Sequence, residues 1–162
     1  MSNLVKVEDA FSNSSVYGYN LEGEMISAKD PVGYMTKLSY NDMSQVSEVK
    51  DAKGNITKYE YHISGNLHKI IKEDEDKNKI VETFEYNKNS QLKEYINPIG
   101  AVTKYFHDAL GGVIKVQNPL GNEVSFNYDS KGNIIQKIVT KYNYNKNGLP
   151  IEEIDPLGGI KF

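Results

Sequence analysis

Asn118-Pro119-Leu120-Gly121-Asn122-Glu123-Val124-Ser125-Phe126-Asn127-Tyr128-Asp129-Ser130-Lys131-Gly132-Asn133-Ile134 is the stretch that decides the fold. It carries two turn signals with a short alternating run between them. In Asn118-Pro-Leu-Gly121 the asparagine bonds forward to backbone groups, proline presets φ, and glycine accepts a positive φ. Asp129-Ser-Lys-Gly132 is a second turn built from the same residue types. Elsewhere the runs between turns, such as Thr57-Lys-Tyr-Glu-Tyr61 and Leu67-His-Lys-Ile-Ile71, are alternating or apolar and rich in β-branched and aromatic residues. Such runs favour strands.

Working outward, the same block recurs. Blocks led by an aromatic or histidine begin at Tyr19, Tyr40, Tyr61, Tyr86, His107, Tyr128 and Tyr144, at intervals of 21, 21, 25, 21, 21 and 16 residues. The second landmark lies eleven residues after the leading residue in most copies. It reads Asp30-Pro31-Val-Gly33, Asp51-Ala-Lys-Gly54, Asn97-Pro98-Ile-Gly100, Asn118-Pro119-Leu-Gly121 and Asp155-Pro156-Leu-Gly158. A fixed period marks a repeat architecture. The unit is strand, turn, strand, turn, and no window carries a sustained 3.6-residue apolar period, so almost no helix is expected. The predicted fold is all-β: tandem β-hairpin repeats of about 21 residues in an open, curved antiparallel sheet. Residues 17–162 form the array of about seven repeats, the last one truncated, and residues 1–16 are expected to be a poorly ordered flank.

Aromatics stand two residues apart in Tyr17/Tyr19, Tyr59/Tyr61, Phe84/Tyr86, Phe126/Tyr128 and Tyr142/Tyr144, so each pair shares one face of its strand. With Tyr40, Tyr105 and His107 they are expected to form a ladder of neighbouring rings holding the repeats together. Two irregularities stand out. Glu73–Lys79 carries a four-residue insertion, read as a longer charged hairpin loop. The stretch from Gly132 to Tyr144 lacks the Asp-Pro tetrad.

Composition bounds the function. Nineteen basic residues, all lysine, stand against 22 acidic ones for a net charge of −3, which speaks against a nucleic-acid partner. There is no cysteine, so disulfides and thiolate chemistry are excluded. No apolar run approaches the roughly 18 residues of a membrane span. The opening residues are not a signal peptide, so any export signal is expected to lie outside this chain.

At this repeat the residues resemble a known family. Tyr-Asn/Asp-x-x-Gly-x-Leu, followed by Asp-Pro-x-Gly and Thr-x-Tyr-x-Tyr, is similar to the YD repeat of Rhs proteins, and the resemblance covers about residues 17–162. The family usually has arginine after the glycine of the first turn, where this chain has Glu24, Gln45, Asn66, Gln91, Gly112, Asn133 and Leu149. The resemblance implies a non-catalytic segment of a secreted or cell-surface bacterial protein, part of a hollow β-shell enclosing a C-terminal toxin. The implied partners are the other repeats of the same polypeptide and that enclosed effector.

Competing chemistry is thinner. Asp74, Asp76, Asn78, Ile80, Glu82 and Glu85 imitate the spacing of an EF-hand calcium loop. Lys79 stands where the sharp turn wants glycine, and the flanks read as strands, so a solvated loop is expected and no metal or cofactor is assigned. His62, His68 and His107 lack a carboxylate or serine partner at a repeatable spacing and are expected to be structural. Exposed aromatic rows admit an alternative function as an adhesive module binding cell-wall glycans, although packing uses the same rings and the chain has no tryptophan.

Overall fold

The computed structural model describes the backbone of residues 3–73, 78–144, 150–154 and 160–161, and the side chains of residues 5–73 and 78–141. The chain divides into two compact units, residues 1–82 and 83–162. Among the described residues every regular element is a strand.

The first unit runs β1 (Asn3–Glu8), β2 (Ser14–Tyr19), β3 (Met25–Lys29), β4 (Met35–Tyr40), β5 (Val46–Lys50), β6 (Ile56–Tyr61) and β7 (Leu67–Glu73). Each strand pairs antiparallel with the next. β8 (Lys79–Tyr86) begins at the end of this unit, and the part of it from Thr83 on opens the second. There follow β9 (Leu92–Ile96), β10 (Val102–His107), β11 (Val113–Gln117), β12 (Glu123–Tyr128), β13 (Ile134–Tyr144), β14 (Pro150–Ile154) and β15 (Ile160–Lys161), again an antiparallel meander.

One turn design serves both landmarks. At Asp30 the backbone N–H donates to the Tyr34 carbonyl at 2.9 Å, and the Gly33 N–H donates back to the Asp30 carbonyl at 3.0 Å. The Asp30 Oδ1 accepts the Val32 and Tyr34 amides at 3.0 and 2.8 Å. The aspartate thus replaces water as partner of amides that the turn would otherwise leave unmet. The same frame recurs at Asn41, Asp51, Asn87, Asn97, Asp108, Asn118 and Asp129. The fourth residue takes a left-handed φ, between 80° and 98° at the glycines from Gly23 to Gly132 but near 60° at Ser12, Ser44 and Ser90.

The two hairpins differ in register. After the Asp-Pro class the strands pair directly, as Lys29 with Met35 and Lys50 with Ile56. After the tyrosine class the register slips: Tyr40 pairs with Val46 but Ser39 with Glu48, leaving Ser47 as a bulge. The same slip leaves out Ile26, His68, Lys93, Ile114, Ile135 and Ile151. Two five-residue turns, a five-residue strand and a six-residue strand therefore make up the period of 21. A one-residue shift would move every side chain to the opposite face. The bulge absorbs it, so Met25 and Ala28 stay on the face of Tyr17 and Tyr19.

Residues 3–16, set apart as a flank from the sequence, instead form β1, a turn of the common design and the start of β2. Asp9 Oδ1 accepts the Phe11 and Asn13 amides at 2.8 and 3.0 Å, and β1 pairs with β2 over six positions. Sequence reasoning missed it because Ser12 replaces the expected glycine. Between Gly132 and Tyr144 the missing tetrad has a simple consequence: β13 runs on for 11 residues, pairing with β12 up to Thr140 and with β14 from Lys141. Asp74, Asp76, Pro156 and Gly158 lie outside the described residues, as do the side chains of Tyr142 and Tyr144.

Among the described residues no apolar side chain is fully buried. In β4 and β6 exposure alternates strictly. Thr36, Leu38 and Tyr40, and likewise Thr57, Tyr59 and Tyr61, are half-buried, and their neighbours are exposed. The opposite face carries Lys37, Glu48, Lys50, Lys58, Glu60 and Lys69, brought together by the pairing register.

Candidate functional site

Among the described residues one side-chain contact recurs between repeats and joins each to the one before it. The Tyr40 hydroxyl donates to the Met25 carbonyl at 2.8 Å, Tyr61 to the Val46 carbonyl at 2.7 Å, and Tyr128 to the Val113 carbonyl at 2.6 Å. Each accepting carbonyl lies fifteen residues earlier, immediately before the bulged residue. The bulge disturbs the ladder there, and the tyrosine of the next repeat satisfies the carbonyl. Burial raises the Tyr61 phenol above its ordinary value, with Tyr59 adding to the effect, and burial likewise raises Tyr86. Both hydroxyls therefore keep their donor proton well into the alkaline range.

This geometry corrects the expected ring ladder. Tyr40 and Tyr61 stand on β4 and β6, with β5 between them. At the usual strand spacing they are roughly 9.5 Å apart, beyond the roughly 4.5–7 Å of a ring pair. Tyr40, Tyr61 and Tyr128 instead reach carbonyls on the adjoining strands β3, β5 and β11. Tyr17, Tyr19, Tyr59, Tyr105 and Phe126 share the half-buried class of the row. Phe84 does meet a ring, that of Tyr95 directly opposite on β9, with centroids 5.3 Å apart. His107 occupies the tyrosine position of its repeat without a hydroxyl to offer.

The place where related repeats carry arginine has its own role here. Gln45 Nε2 donates to the Gly65 carbonyl at 2.7 Å, tying one turn to the next along the rim. Elsewhere the side chain folds back on its own turn, as Asn20 Nδ2 to Glu24 Oε2 at 2.7 Å and Asn87 Nδ2 to Gln91 Oε1 at 2.7 Å. Neither link has a sequence signal beyond the repeated polar identity of the position. The turn aspartates Asp9, Asp51 and Asp129 are held below the usual carboxylate range, first by an Asn side chain four residues on and then by turn amides.

The charged face of the first unit holds the ion pair Lys69–Glu60 at 3.6 Å; in the second unit Lys115 pairs with Glu123 at 3.1 Å and lies 4.3 Å from the Phe106 ring centre. Of the calcium-like spacing, Glu85 lies within β8 opposite Glu94, and the elements on either side of the insertion are strands. An open groove of about 680 Å³ in the second unit is lined by Asp108, Ile114, Phe126, Tyr128, Asp129 and Ile135, all members of the repeated turns and strands. Such an arrangement can hold strands to strands.

The teneurin YD-shell family profile matches residues 1–125 and, in a second alignment, 50–156. This chain belongs to the YD-shell family. No curated protein matches it. Among solved structures it is similar to one titled TcdB2-TccC3-Cdc42, with a TM-score of 0.65 and 17% identity over 86% of this chain. It is also similar to the Tc holotoxin pore of Photorhabdus luminescens, with a TM-score of 0.56 and 17% identity over 86% of the chain. The chain spans 9% and 8% of those two chains. At that identity the likeness establishes a shared fold.

Proposed function

We propose that this chain is a wall segment of a secreted bacterial YD shell, with no catalytic role, whose remaining repeats and C-terminal effector are its partners. The observation that carries this reading is the absence of any fully buried apolar side chain among the described residues of a sheet that nonetheless segregates tyrosine, leucine and valine to one face. Segregation on that scale is useful when something else covers the face. The apolar face is the one turned toward the shell's contents.

The chain has no cysteine, which permits a direct test. Leu38→Cys on the apolar face and Lys37→Cys on the charged face are each placed in the complete polypeptide that carries this segment. A bulky maleimide labels the second at least about tenfold faster than the first, and the difference vanishes in the isolated chain, which self-associates through its edges. Equal labelling in the complete polypeptide ends this reading.

A further inference from the structure

One repeat departs from its neighbours at two places at once. The residue opening its tyrosine-side turn is His62, where the others carry Asn20, Asn41, Asn87, Asp108 and Asp129. Its bulged residue is His68, where the others carry Ile26, Ser47, Lys93, Ile114, Ile135 and Ile151. The turn folds β7 back along β6, and the two imidazoles meet. Their ring centroids are 4.2 Å apart with planes inclined by 50°, and their ligand nitrogens lie within 4.8 Å of one another. Both side chains are half-buried, and Nε2 of His62 is shielded from solvent.

We propose that His62 and His68 form a binding site for a late first-row divalent metal ion, with Zn²⁺ as the representative. Neutral imidazole suits zinc, copper and nickel in preference to calcium or magnesium. Zinc binds nitrogen at about 2.0–2.1 Å, so two ligands of one tetrahedral ion stand roughly 3.3 Å apart. Rotation about the side-chain torsions covers that difference without moving the backbone. The backbone is already fixed: the His62 N–H donates to the Asn66 carbonyl at 2.8 Å, and the Gly65 N–H to the His62 carbonyl at 2.8 Å. The bulge provides the second condition. It gives His68 a position outside the regular alternation, next to the turn, which a straight strand would deny it. Placing an imidazole at the turn also gives up the carboxylate or carboxamide oxygen that caps the neighbouring turns. The substitution is therefore not explained by the turn itself.

The test uses the whole chain. Zinc chloride is titrated calorimetrically in chelator-free buffer while the imidazole resonances are followed by NMR. One ion binds per chain, the signals of His62 and His68 move together, His107 stays in place, and the melting temperature rises with zinc. His62→Asn restores the residue type of the neighbouring turns and His68→Ile that of the neighbouring bulges, so both variants keep the β-sheet circular dichroism of the parent. Each weakens zinc binding at least about tenfold. The proposal is overturned if the parent shows no saturable binding up to about 1 mM zinc, if either variant binds as tightly as the parent, or if His107 alone responds.

Discussion

The hairpins at Asn41 and Asp51 stand ten residues apart and use the same five-residue turn, yet they do different work. At Asp51 the strands leave the turn in direct register, and every side-chain bond that closes the turn is local. At Asn41 the register slips at Ser47, and two bonds arrive from or depart to the next repeat: Tyr61 to the Val46 carbonyl and Gln45 to the Gly65 carbonyl. The first hairpin folds the chain; the second joins repeats. In a molecule without a buried apolar core among its described residues, the joints carry a larger share of cooperativity than such polar contacts would in a globular domain.

The largest expected effect separates the two hairpins. Tyr61→Ala removes a half-buried ring and a hydrogen bond to the preceding repeat, and costs about 2–3 kcal/mol. Tyr34→Ala, in a turn of the direct class where the ring is 65% exposed, costs close to nothing. Hydrogen exchange of the Val46–Lys50 amides measures the first. Similar losses at both sites would break the comparison. Tyr61→Phe then isolates the hydroxyl at about 1 kcal/mol. The reverse change, His107→Tyr, gains a similar amount by supplying the donor that repeat lacks, read as slower exchange in β11 and β9.

The repeat, the turns, the all-β class and the sharing of one strand face by paired aromatics were legible because they depend on local chemistry and on a period of two. Tyr59 and Tyr61 share a face for a reason visible in five letters of sequence. What the tyrosines do was not legible, because it depends on the bulge, and no residue type marks a bulge: the seven positions hold isoleucine, serine, histidine and lysine. An odd period combined with same-face aromatics does imply one, which is the signal that could have exposed it. Residues 3–16 escaped for a smaller reason, a serine in a conformation that glycine normally takes.

That serine gives the next comparison. Gly54 holds a φ of 93°, and Gly54→Ala costs about 1–2 kcal/mol through the clash of a Cβ with the backbone. Ser44 already bears the same type of strain at 57°, so Ser44→Gly gains up to about 0.5 kcal/mol, reduced by the greater freedom of glycine in the unfolded chain. Denaturant midpoints of the two variants should move in opposite directions. If both fell, Ser44 would be making a contact that the turn frame does not account for.

Acid gives the smallest effect and the one that tests whether the turn is shared by both hairpin classes. Asp51 belongs to a direct hairpin and Asp129 to a bulged one, and hydrogen bonds from Asn55 and Asn133 are the leading cause that holds each carboxyl below its ordinary value. A carboxylate whose folded value is depressed contributes stability that is complete above the unfolded value and disappears as pH falls through the folded one. Local opening at both turns therefore increases on acidification from about pH 4 to about pH 2, while the turns at Asn97 and Asn118, with no titrating cap, stay flat. Asp51→Asn removes the response at its own turn and leaves that at Asp129. Because the cap is the same in both classes, the bulge should not enter this measurement. A response confined to Asp129 would mean that the register slip, rather than the five-residue frame, sets the strength of the cap.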